Sequence, residues 1–156
     1  MHPDDLDLVD CPNVDSVLSN CRYRSLGYQL AFLAMKSLLK KIIVKTLADF
    51  ESFKPDILVD EGFDLSPYGF EATVVHIPGH TKGSIGILTA NGDLIAGDIF
   101  ANTDRPAIAP NAYGYKALRS SVEKLKTMKI KTIYPGHGSP FDADALADFR
   151  HRPSRC

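Results

Sequence analysis

Val75-His76-Ile77-Pro78-Gly79-His80-Thr81-Lys82-Gly83-Ser84-Ile85 carries one apolar run into a Pro-Gly turn, presents a histidine, and leaves on a second apolar run. Two later stretches repeat the arrangement: Leu94-Ile95-Ala96-Gly97-Asp98 ends on an aspartate, and Tyr134-Pro135-Gly136-His137-Gly138 on a histidine between glycines. Each sets one metal-capable side chain where a strand is predicted to run out. Gly and Pro beside each one predict tight turns that fix its aim. Histidine and carboxylate are the usual ligands of zinc and other first-row metals, so His80, Asp98 and His137 read together as part of a metal site.

The pattern around these stretches is that of strands. Ile57-Leu58-Val59, Gly69 to Ile77 and Ser84 to Thr89 alternate as antiparallel strands do, and Asn91-Gly92 predicts a type I′ hairpin between Ile85–Leu88 and Leu94–Ala96. Such a hairpin brings Asp98 to the same end of the sheet as His80. After an irregular stretch from Ala101 to Gly114, Leu118, Val122 and Leu125 fall on one helical face. A short strand, Lys131 to Tyr134, then delivers His137, and Phe141 to Phe149 reads as a closing helix with Asp142 as its cap.

Upstream the period is helical. Pro3 followed by Asp4 and Asp5 predicts a helix start. From Gly27 to Thr46, Phe32, Met35, Leu39, Ile42 and Ile43 recur at helical spacing with Lys36, Lys40, Lys41 and Lys45 elsewhere, predicting an ordinary amphipathic surface helix with solvated lysines. The organisation expected is a single partial domain over 1–156, with a helical segment at 1–50, a strand-rich ligand segment at 56–140 and a C-terminal helix at 141–150.

Composition sets the class. The chain has 156 residues, 44% of them hydrophobic, with 18 Lys and Arg against 19 Asp and Glu. That balance gives no long-range attraction to nucleic acid or an anionic membrane, and suits a small-molecule substrate. Cys11, Cys21 and Cys156 are too few for a disulfide framework, so a reducing, cytoplasmic setting is expected. No signal peptide is read at the start, and the apolar run Leu30 to Met35 is too short to span a bilayer.

Rival constellations are weaker. Lys82-Gly83-Ser84 reverses the order a phosphate loop needs, neither Ser84 nor Ser139 has the Gly-x-Ser-x-Gly surround, and Cys11 and Cys21 lack zinc-ribbon spacing. His76, on one face of a strand, reads as a hydrogen-bonded structural histidine. Thr81 and Ser84 read as residues that orient the turn, and Lys82 as a loop lysine that meets either solvent or an anionic substrate.

The three stretches, in this order, resemble the downstream motifs of the metallo-β-lactamase superfamily. Met1 to Leu6 resembles the stretch that follows that family's first metal motif, and Pro55 to Ser84 its middle strands; Cys11 to Lys54 is unassigned. The resemblance implies an α/β fold, a metallo-β-lactamase-like αββα sandwich that is N-terminally incomplete, because no His-x-His-x-Asp-His motif precedes the matched stretches. It implies metal ligation by His80, Asp98 and His137, with Asp98 the catalytic bridge between two metals. Zinc is the default ion, with iron or manganese accepted by the same ligand types. The expected activity is attack of activated water on an ester, thioester or amide, impaired by the missing ligands. The rival is an inactive fragment or interaction module, with a homodimer or a complementary N-terminal fragment covering an exposed sheet edge.

Overall fold

The computed structural model describes residues 1–19, 22, 23 and 25–149. A 3₁₀ turn at Pro3–Leu8 leads to α1 (Val14–Ser19), β1 (Arg22–Tyr23) and the long α2 (Leu26–Ala48). Then come β2 (Ala72–His76), β3 (Ile85–Thr89), β4 (Asp93–Asn102), β5 (Ala107–Ile108), β6 (Asn111–Ala112), α3 (Tyr115–Lys126), β7 (Thr132–Gly138) and β8 (Phe141–Asp142), closed by a 3₁₀ turn at Ala143–Asp148. The mixed α/β class expected from the sequence is what forms.

The main sheet runs β2-β3-β4-β7-β8, with β5 against β4; β1 and β6 make a separate two-stranded ribbon. β2, β3 and β4 are antiparallel, and β7 joins β4 in parallel after the crossover that contains α3. The free edge of β2 is met by Gly62 to Leu65, whose backbone exchanges hydrogen bonds with Ala72 and Val74. One core holds the layers together: Leu118, Val122 and Leu125 of α3 are buried with Leu94, Ile99, Phe100, Ile133 and Ile77, as their spacing predicted. Phe100 meets Phe141 edge-on, with ring centroids 5.8 Å apart.

Several local expectations are corrected. The Asn91-Gly92 turn has a positive φ only at Gly92 (91°), so the hairpin closes through Gly92 N–H to Thr89 C=O and not through a type I′ pair. Ile57 to Val59 forms no strand; Val59 is buried and donates its N–H to Met1 C=O. The strands carrying Asp98 and His137 do not stop at the motifs but run through them, because β4 and β7 pair in parallel across the motif glycines. The predicted closing helix is a 3₁₀ turn, though Asp142 does cap it, accepting the Asp144 N–H. α2 forms over the predicted span and slightly beyond, but Met35 and Ile42 are exposed; Phe32, Leu39, Ile43 and Leu47 are its partly buried residues. The thiols of Cys21 and Cys156 and the tail from His151, expected to fray, lie outside the described residues.

Candidate metal centre

His80 sits in a loop held from two sides. On one side, α3 and the segment leading into it fix the backbone. Gly114 N–H donates to Gly79 C=O, Tyr113 N–H to His80 C=O, and the buried Ser121 hydroxyl to Pro78 C=O at 2.8 Å. Gly79 lies so close to Leu118 that a Cβ there would overlap its backbone, which explains the glycine ahead of the histidine. On the other side, Asp5 accepts from Thr81 Oγ1 at 2.6 Å and from Gly83 N–H at 2.8 Å. Thr81 N–H also donates to Ser84 Oγ at 2.9 Å, so Thr81 and Ser84 do orient the turn.

Asp98 and His137 ride on neighbouring parallel strands. The β4/β7 register is Ile95↔Tyr134, then Gly97↔Pro135, then Ala101↔His137, with an irregularity on either side of Gly97. These interruptions let β4 gain residues on β7 and turn the Asp98 side chain toward His137. Gly136 clears the space: a Cβ there would collide with Asp98 Oδ1.

The outcome is one carboxylate between two imidazoles. His80 Nε2 is 3.7 Å from Asp98 Oδ2, and His137 Nε2 is 3.5 Å from Asp98 Oδ1. Two ligands of a tetrahedral ion, each about 2.0–2.1 Å from it, stand roughly 3.4 Å apart, close to both separations. His80 Nδ1 lies 3.3 Å from Asn111 C=O. A carbonyl there selects the Nδ1–H tautomer, leaving the Nε2 lone pair for a metal, the arrangement that orients ligating histidines generally. Each His–Asp pair therefore has the spacing of two ligands of one zinc- or iron-type ion, whereas the three donors do not all come within 4.8 Å of one another. Each carboxylate oxygen faces a different histidine.

These three residues line an open cleft of 430 Å³, with Phe100, Ala101, Ala109 and Pro110 among its apolar walls. His80 is 23% exposed and His137 72%, so solvent reaches the site from the His137 side. Tyr113, beside His80 in the backbone hydrogen bonding, carries the Lys82 ammonium 5.1 Å from its ring centre.

A second group of donors, His2, Asp60 and His76, brings its ligand atoms within 4.8 Å of one another. Its hydrogen bonds assign it a different role. His2 Nδ1 accepts the Asp4 N–H at 3.1 Å, so the proton is on Nε2, which faces Asp60 Oδ1 at 3.1 Å as a donor. His76 faces Lys82 C=O through Nε2 at 3.0 Å, and the two rings stack at 3.9 Å. The Glu61 N–H and the His2 ring hold the Asp60 carboxyl below its ordinary range. The group is a brace joining the chain start to the strand that leads to His80, and His76 is the structural histidine the sequence indicated. Asp5 and His2 were not singled out beforehand: polar pairs 76 and 58 residues apart leave no periodic trace, and Asp5 read only as a favourable acid in a first helical turn.

Comparison with known proteins bears on the family and the fold. The profile of the metallo-beta-lactamase superfamily matches residues 22–137. A beta-lactamase-like protein 2 homolog of Drosophila melanogaster is 32% identical over 71 residues, 46% of this chain and 23% of its own length. The metallo-beta-lactamase family protein TTHA1429 of Thermus thermophilus superposes with a TM-score of 0.63 at 16% identity, covering 96% of this chain and 50% of that one. TTHA1623, crystallised in a di-iron-bound form, gives a TM-score of 0.55 at 21% identity over 98% of this chain and 62% of its own. The chain thus spans 23% of that curated relative and between half and two thirds of these two structures. With the profile covering most of the sequence and ending on the last of the three site residues, the chain belongs to the metallo-beta-lactamase superfamily.

Proposed function

We propose that His80, Asp98 and His137 hold a divalent metal in a hydrolytic centre whose substrate is a small ester, thioester or amide. The observation that carries this reading is the Asp98 carboxylate placed between two imidazoles, one facing each oxygen. A metal held there would supply Lewis acidity, lowering the pKa of a bound water toward neutrality. His80 is oriented for ligation by Asn111 C=O, and Asp98 balances the ion's charge and sets the spacing of its neighbours. The apolar wall of Phe100, Ala109 and Pro110 takes the carbon skeleton of the substrate and excludes water from one side of the cleft. Zinc is the first ion to test; the di-iron relative supports iron as the second, and manganese is the third.

A second reading, a module that keeps the fold without turnover, rests on the number of donors: the described cluster offers three side chains, fewer than a two-metal centre uses. Metal analysis after dialysis against zinc, iron or manganese, with ester and thioester hydrolysis of the same samples, separates the two. Retention that His80→Ala, Asp98→Asn and His137→Ala each abolish, accompanied by turnover, is expected. Retention without turnover selects the second reading, and retention unaffected by all three substitutions overturns both.

A further inference from the structure

His137 is held differently from His80. The His80 ring has the Asn111 C=O 3.3 Å from its Nδ1, whereas the His137 imidazole is 72% exposed and makes no hydrogen bond among the described residues. With nothing gripping the ring, its place beside Asp98 depends on the backbone that carries it. On the N-terminal side that backbone is set by Gly136, which lies against the Asp98 carboxylate.

On the C-terminal side the hold comes from Asn102. The β4/β7 ladder loses its step between Gly97↔Pro135 and Ala101↔His137, then regains it at Asn102↔Gly138. There Asn102 grips both backbone groups of Ser139. Its C=O accepts the Ser139 N–H at 3.2 Å, and its side-chain Nδ2 donates to the Ser139 C=O at 2.8 Å. Gly138 lets the strands come this close: its φ is 91°, and a Cβ there would fall on the Asn102 carbonyl. The amide is the group the position needs. An aspartate would set oxygen against the Ser139 oxygen, and an alanine offers no donor. Asn102 does not itself line the cleft, but its neighbours Ala101 and Thr103 do, and Ala101 is paired with His137 across the ladder.

We infer that Asn102 is a positioning residue for His137: its side-chain amide fixes the chain just past Gly138, so that the imidazole stands beside Asp98. The consequence for metal rests on the reading, proposed above, of His137 as a ligand; the position itself is read without metal. Asn102→Leu, close to asparagine in size and neutral, removes the donor without adding charge near the site, and Asn102→Ala serves as a second variant with the same expected pattern. In the metal-free chain, the Ser139 N–H is expected to exchange about 10-fold faster or more. The nuclear Overhauser contact between the Ala101 methyl and the His137 β protons, on strands about 4.8 Å apart, is expected to be lost while the His80 ring signals stay in place. Zinc affinity of the same samples should fall about 10–100-fold, with ester turnover returning at excess zinc because the ligand is displaced and not removed. Unchanged Ser139 exchange together with an unchanged Ala101–His137 contact overturns the inference whatever zinc does. Displacement of the His80 signals along with those of His137 overturns it as well, since that marks a general loosening of the fold. So does an unchanged zinc affinity in a chain that binds zinc. Where the wild-type chain takes up no zinc and Asn102→Leu still frees His137, the hydrolytic reading falls and the positioning role stands.

Discussion

Removing the Asp5 carboxylate tests how the His80 loop is held. Asp5 is the only described side chain from the first ten residues bonded to the Thr81–Gly83 turn, and it accepts two hydrogen bonds there, at 2.6 and 2.8 Å. A hydrogen bond to a charged group contributes about 1.5–3 kcal/mol, and the site is only partly buried. Asp5→Ala is therefore expected to cost about 2–3 kcal/mol, and Asp5→Asn, which keeps one acceptor oxygen, about half of that. For a chain of this size the loss lowers Tm by roughly 5–10 °C. Zinc affinity, measured calorimetrically, should fall about 10–100-fold, the usual effect of losing a group that orients a ligand. Amide hydrogen exchange gives a readout free of metal: the Gly83 N–H, which donates to Asp5, should lose protection in Asp5→Ala while the core amides of Ile99 and Phe100 keep most of theirs. An unchanged Tm together with an unchanged Gly83 exchange rate refutes the argument that the first turn positions His80.

Other substitutions probe the remaining supports. Gly136→Ala places a methyl where Asp98 Oδ1 lies, so metal retention should drop by about 100-fold or more at a stability cost of about 1–3 kcal/mol, read by dialysis and urea unfolding. Leu118→Ala should cost about 2–5 kcal/mol by urea unfolding, and because Leu118 packs on Gly79 it should weaken zinc binding as well. Burial opposes the charge of Glu61, but the Lys124 ammonium at 2.7 Å and the His76 N–H at 2.6 Å outweigh it and hold the carboxyl below its ordinary range. A depressed carboxyl pKa stabilises the fold above the unfolded value of about 4.3 and ceases to do so as pH falls through the folded value. Between about pH 6 and pH 3 the wild-type stability in urea should thus fall further than that of Glu61→Gln, by less than about 1 kcal/mol because Glu61 is half exposed to screening water.

That His80, Asp98 and His137 come together was legible because each sits in its own short signal: a turn-forming Gly or Pro beside a lone metal-capable side chain after an apolar run. α3 was legible for a similar reason, since Leu118, Val122 and Leu125 all face one core. What escaped the sequence is non-local. The glycines at 97 and 136 read as strand ends, whereas the parallel β4/β7 ladder carries both strands past them, with irregularities absorbing the mismatch. Asn91 keeps a negative φ, so the hairpin turns on Gly92 alone and the Asn-Gly pair misreads its type. α2 misled because its apolar residues are spread around the axis, so a 3.6 period was readable on more than one face. Phe32 and Leu39 lie toward the molecule while Met35 and Ile42 do not. His2 and Asp5 belong to no pattern at all; only the closed chain gives them partners.

The broken register between β4 and β7 makes correct strand alignment a precondition of bringing His137 to Asp98. Sliding β7 by one residue would turn His137 to the opposite face of the sheet and bring a residue with a Cβ against the Asp98 carboxylate. An ion that binds only the aligned pair adds its binding free energy to that alignment and to no other. During folding the metal would then act as a proofreader of strand pairing, retaining chains whose two halves have met in step and leaving slipped ones free to separate and try again.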